Sequence, residues 1–129
     1  METQPISKTK KITSWVLAGL VAAFIILSGV GKIMSSNNPD SDIYKNFLKW
    51  GLEGKIILIA LGEIIAALLF LIPRTSSLGV LLISAFFGGA IVTHLEHGEP
   101  MFFMPAILLV IAWVAHYLRN PEMLSSFKK

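Results

Sequence analysis

Residues 56–72 read IILIALGEIIAALLFLI, an apolar run whose single charge is Glu63. Three further stretches, 12–31, 75–93 and 100–118, contain no Asp, Glu, Lys or Arg. A helix crosses the hydrocarbon core of a bilayer with roughly 20 apolar residues, and buried strands do not run this long. The four runs predict an all-α, integral membrane four-helix bundle. A carboxylate at membrane depth is expensive, so it normally faces the bundle interior and has a task there. Glu63 is therefore the first residue to which a function can be tied.

Composition agrees. Of 129 residues, 54% are hydrophobic and 15% charged, with a mean hydropathy of +0.71; a soluble domain carries about 25% charged residues. Four spans of this length use most of the chain, so one transmembrane domain over 1–129 is expected. The net charge of +3 is small, and the basic residues are dispersed without interleaved aromatics. No nucleic-acid partner is expected. The chain has no cysteine, which excludes disulfide shuttling, thiolate catalysis and Cys-ligated metals or clusters within it. It also lacks a Gly-rich phosphate loop and a Gly-x-Ser-x-Gly elbow. No catalytic residue is assigned, and catalysis by this chain alone is not expected. Lys8, Lys10 and Lys11 precede an apolar run as a signal-peptide n-region would. The run 12–31 exceeds the usual ~7–15-residue h-region, and no clear Ala-x-Ala site follows, so it is expected to be the first span.

Residues 1–11 are polar and are expected to fray. The spans fall at about 13–34, 55–72, 77–97 and 101–120. Pro73 stops the second, Gly98 caps the third, Pro105 lies in the first turns of the fourth, and Pro121 ends it. Between spans 1 and 2, Asp40, Ser41 or Asp42 is placed to cap a short helix. Ile43, Tyr44, Phe47, Leu48 and Trp50 recur there at helical spacing. This predicts a short amphipathic interfacial helix between spans 1 and 2, lying at the interface or folded over the bundle mouth. Lys8, Lys10, Lys11, Arg74, Arg119, Lys128 and Lys129 fall on one side, against Lys32, Lys45, Lys49 and Lys55 on or near the other. This excess predicts a multi-pass protein of the cell (inner) membrane with both termini in the cytoplasm.

That topology gathers the polar residues. Lys32 is near the outer end of span 1. Glu63 lies about 12 Å in from Lys55, and His94 about 6 Å in from Gly98, at ~1.5 Å per residue. All three belong to the outer half of the bundle, and the length of a lysine side chain leaves contact between Lys32 and Glu63 open. Ala60, Ala66 and Ala67 share the face of Glu63 and direct it toward a neighbouring helix. Three readings of Glu63 follow: a buried clasp with Lys32 that fixes register, a ligand-binding group, or a proton carrier. Phe87, Phe103 and Trp113, with Phe86 and Phe102, are candidates to line a flat apolar pocket. Ser84/Gly88 and Ala85/Gly89 are small-xxx-small pairs that would let helices pack. His94, Glu96 and His97 invite a metal reading, but no zinc motif is present and no metal site is expected. Glu96, His97 and Glu99 read as a polar helix end, and His116 as an interfacial side chain near the cytoplasmic end.

Several local patterns together resemble the DoxX-like family of small four-span membrane proteins. Span 1 closes on Ser28-Gly29-Val30-Gly31-Lys32-Ile33. Leu61-Gly62-Glu63 lies inside span 2, and Leu71-Ile72-Pro73-Arg74 ends it. Gly89-Ala90, Thr93-His94-Leu95 and Gly98-Glu99-Pro100 follow, and Tyr117-Leu118-Arg119-Asn120-Pro121 finishes the pattern. The resemblance covers about residues 28–121 and places Lys32, Glu63 and His94 on polar positions of the family pattern. It implies roles near membrane redox metabolism. Some relatives associate with sulfur or thiosulfate oxidation feeding quinone, others with oxidative-stress enzymes, and one animal branch with nicotinic receptor assembly. The expected function is a binding or accessory subunit of membrane redox metabolism, with a quinone as one possible cofactor. The alternatives are a scaffold or assembly factor for another membrane protein, and proton-coupled transport by a homo-oligomer.

Overall fold

The computed structural model describes residues 8–128 and is helical nearly throughout. Five α-helices follow in order: α1 (Lys8–Ser35), α2 (Asp42–Lys49), α3 (Ile56–Leu71), α4 (Ser76–Glu96) and α5 (Phe103–Arg119). Four of them, extended by short 3₁₀ turns at Glu53–Lys55, Pro73–Thr75 and Pro100–Phe102, are long and apolar enough to span a bilayer. The helix α1 begins at Lys8, so residues 8–11, expected to fray, continue the first span as a regular helix; 1–7 and Lys129 lie outside the described residues.

Local chemistry sets the boundaries. Ile72 is extended and Pro73 cannot continue a helix, so α3 stops there. Ser41 is the cap of α2, its Oγ accepting from the Tyr44 amide at 3.1 Å. Both α2 and α4 end on a left-handed glycine, Gly51 (φ 76°) and Gly98 (φ 66°). At each end the two signature bonds form: Leu52 N–H to Phe47 O at 2.8 Å with Gly51 N–H to Leu48 O at 3.1 Å, and Glu99 N–H to His94 O at 2.9 Å with Gly98 N–H to Leu95 O at 3.1 Å. The second of these turns folds the loop residue Glu99 back over the end of α4.

Helix α1 packs on α3 and α5, and α4 packs on the same two, so the ring order is α1–α3–α4–α5. One half of the bundle is solid. Ala18, Val21, Ala22, Ile25, Ala66, Ala67, Phe70, Val80, Ile83, Ala112 and Ala115 form a continuous buried core there. Alanines and glycines permit the close approach that packing in lipid requires: a Cβ on Gly29 would sit 2.7 Å from Ile64 Cγ1, and one on Gly79 would sit 2.2 Å from the Phe70 amide nitrogen. The large apolar side chains outside this core, such as Leu20, Leu58, Leu81 and Val110, point outward, as a lipid-facing surface does.

Arg119 closes the solid end. Its Nη2 donates to Phe70 O at 2.7 Å, and its guanidinium lies over the rings of Trp15 and Phe70, 5.1 and 5.0 Å from their centroids. The start of α1 and the ends of α3 and α5 therefore meet at one end. His116 is a correction to the interfacial placement expected for it. It is 3% exposed, with Nε2 3.5 Å from Ser77 Oγ and Nδ1 3.4 Å from Asn120 Nδ2. It follows Ala112 by one turn on the inward stripe of α5, so helix phase buries it.

Candidate functional site

The opposite half of the bundle is hollow. A cavity of about 580 Å³ lies there, lined by residues of all five α-helices. That is within the volume range of small-molecule sites, roughly 300–1,000 Å³. Its walls are mostly apolar, and Lys32, Glu63 and His94 all border it.

Glu63 is 7% exposed, on the same buried stripe as Ala60, Ala66 and Ala67. Its Oε1 lies 2.8 Å from Lys32 Nζ. The lysine also donates to Ser28 Oγ at 2.8 Å, one turn back on its own helix. The contact of α1 and α3 at Gly29 brings the two helices close enough for this pair to form within the bundle. An ion pair so little exposed is sustained only when each charge is compensated. No second hydrogen bond to Glu63 is found among the described residues, so Glu63 presents remaining acceptor capacity to the cavity.

His94 does not join that pair. Its Nδ1 lies 2.7 Å from Glu99 Oε1. The same carboxylate accepts Trp50 Nε1–H at 3.2 Å and pairs with Lys49 Nζ. Hydrogen bonding from Lys49, followed by burial opposing it and a further bond from His94, leaves the Glu99 carboxyl at about 2, far below the ordinary carboxylate value. Glu99 is thus an anion at neutral pH, and it bolts the end of α2 to the end of α4. Trp50 completes the closure: its ring lies edge-on to His94 with centroids 5.3 Å apart, and Phe47 is buried beneath α2. Of the two placements open to α2, the structure selects the one over the bundle mouth.

The aromatic candidates divide. Phe87 lines the cavity, as does Phe86, whose ring sits against Gly62. Phe103 and Trp113 are corrections, since neither is part of the lining. Phe103 begins α5 on an outward face, and Trp113 donates its indole N–H to Ser84 Oγ at 3.0 Å as part of the α4–α5 contact. The small residues of α4 also differ from expectation: a Cβ on Gly88 or Gly89 would meet nothing within 4 Å, so neither serves a helix contact inside the chain. In the sequence, Phe47 and Trp50 read only as the apolar face of the short helix, Glu99 only as part of a polar helix end and Ser28 only as part of the close of span 1; none is assigned there to the site that they border or close. The turn at Gly98 and the helical spacing of Phe47 and Trp50 are the signals that point to the mouth, and the i, i+4 spacing from Lys32 is the signal that marks Ser28. Among the described residues no group of three or more His, Cys, Asp or Glu is gathered as a metal site.

Four long apolar helices around a buried ion pair define an integral membrane four-helix bundle with an internal cavity. A sequence model of the DoxX-like family matches residues 16–115, and the chain belongs to that family. No curated protein and no solved structure gives a match.

Proposed function

We propose that the chain binds a small hydrophobic, quinone-like molecule in this cavity, as an accessory subunit of membrane redox metabolism. The observation that carries the reading is the cavity itself: about 580 Å³ of largely apolar space with Lys32, Glu63 and His94 on its wall. Convergent polar groups in an otherwise apolar hollow are what orients a ligand. In this reading Lys32 donates to an oxygen of the polar head, and Glu63 accepts from a head hydroxyl, as in the reduced quinol form. His94, whose Nδ1 is engaged by Glu99, offers its other ring nitrogen, and Phe86 and Phe87 lie against the ring. In this reading the chain binds and positions the molecule and does not itself break covalent bonds.

Native mass spectrometry of protein extracted from its own membrane tests this. The wild type should carry a lipid-like or quinone-like mass that is lost in Glu63→Gln and in Ala90→Phe, which fills the lining while leaving the ion pair intact. A wild type that flies empty from several mild detergents, beside variants that differ only in stability, would make Glu63 a structural clasp and favour the scaffold reading.

We also propose that both termini face the cytoplasm of the cell (inner) membrane. Support comes from the basic residues gathered at the solid end, including Lys8, Lys11, Arg74 and Arg119. The chain has no cysteine of its own, so Asn37→Cys gives a single reporter in the α1–α2 connection. An impermeant maleimide should label it in intact cells; labelling only after the membrane is opened would reverse the orientation.

A further inference from the structure

The cavity is roofed but not walled on every side. Gly29 faces α3, through Ala60 and Ile64. At about 100° per residue, Phe24, Leu27 and Gly31 turn to the opposite side of α1. On α5, Trp113 faces α4 through Ser84, and by the same helical spacing Met104 lies on the side away from α4. In the ring order, those two sides border the gap between α1 and α5. Phe24, Leu27 and Met104 all line the cavity, yet Leu27 is 72% exposed, Phe24 47% and Met104 37%. The exposure of these lining residues puts an opening of the cavity on the outer surface of the bundle between α1 and α5, within the apolar spans of both helices. Its end toward water is covered by α2, with Phe47 buried and Trp50 and Lys49 held by Glu99.

The polar groups inside add a constraint on the ligand. Lys32 and Glu63 neutralise each other at 2.8 Å. A head with a net charge would leave that charge uncompensated in an apolar wall, whereas a neutral head with hydrogen-bonding atoms would not. Resting on the proposed binding role, we infer that the cavity takes an uncharged-headed amphiphile already dissolved in the bilayer, admitted sideways between α1 and α5 beneath the fixed roof of α2. The head lies at the Lys32–Glu63 pair and the tail passes out by Leu27 and Met104 into the lipid.

The access route can be tested without any ligand. A nitroxide on Leu108→Cys reports from the cavity wall, and one on Val110→Cys reports from the lipid-facing surface. In liposomes, molecular oxygen, which concentrates in lipid, should relax the Leu108 label about as well as the Val110 label. A water-soluble nickel chelate should reach neither. Adding Leu27→Trp should cut oxygen collisions at position 108 several-fold and leave position 110 unchanged. Nickel reaching position 108 would show that the cavity opens to water, and neither reagent reaching it would show a closed wall or one covered by a second copy; each result overturns the inference. The head is tested on the same labelled protein with two ten-carbon-tailed probes, a benzoquinone and a phosphate monoester. The quinone should exclude oxygen from position 108 and the phosphate should not. Equal exclusion by the phosphate would overturn the uncharged head. Exclusion by neither, with the oxygen result intact, would remove the binding role while the sideways opening stands.

Discussion

Glu63→Leu, with Lys32 left in place, should destabilise the bundle by about 3–5 kcal/mol, the range for removing one partner of a buried pair. The cost arises from the ammonium that remains. Lys32 is held between Glu63 at 2.8 Å and Ser28 at 2.8 Å, with only 16% of its side chain exposed. Without the carboxylate it must either stay charged in an apolar wall or withdraw along α1 toward the interface. Lys32→Met/Glu63→Leu should recover most of the loss, because a matched apolar pair carries no uncompensated charge. Reversible unfolding of the four variants of this cycle in bicelles gives the coupling directly. A single-variant loss below about 1 kcal/mol would place the pair in the range of exposed ion pairs, and so in contact with water. The double variant also separates structure from function: it should regain most of the wild-type stability and should still lack the co-purified ligand. Retention of the ligand would show that the pair serves the fold alone.

The second large effect is expected at the solid end. Gly79→Ala would place a methyl 2.2 Å from the Phe70 nitrogen, 2.4 Å from its Cα and 2.7 Å from the Leu69 carbonyl carbon. These are backbone atoms and cannot rotate aside. The end of α3 is also tied to α5 by Arg119 through Phe70 O, so relieving the clash moves three helices. A loss of about 3 kcal/mol, the upper part of the usual range for overpacking, is expected. Gly88→Ala is the control, with open space around the added Cβ; it should be neutral or gain up to about 1 kcal/mol from helix propensity. Equal melting of the two variants would mean that α3 and α4 are not pressed together at Gly79. Gly62→Ala should fall between them, since its obstacle is the Phe86 ring, a side chain that can turn.

The four spans, the caps and the short helix were legible because each depends on neighbours in sequence. An apolar run, a proline, a glycine or a Ser41 cap acts on backbone within a few residues. The inward direction of Glu63 was legible too, from Ala60, Ala66 and Ala67 on its helical face. The placement of His94 near Lys32 and Glu63 followed from depth along each helix, which the residue count supplies. Partner choice was not available by that route. His94 and Glu99 are five residues apart, yet their contact depends on a left-handed turn at Gly98 and on α2 folding down to supply Lys49 and Trp50. His116 was misplaced for a related reason: its depth suggested the interface, whereas the phase of α5 set its burial.

By itself, then, the sequence determined that this is a membrane-spanning bundle with a carboxylate inside, because hydropathy and helical period are properties of one segment at a time. Only the tertiary structure decided that one half is solid and the other hollow, that Glu63 meets Lys32 while His94 meets Glu99, and that Phe103 and Trp113 leave the lining to Phe86 and Phe87. Those outcomes depend on how closely and at what rotation the helices approach. That in turn depends on the simultaneous fit of small residues such as Gly29 and Gly79 against specific atoms of a different helix.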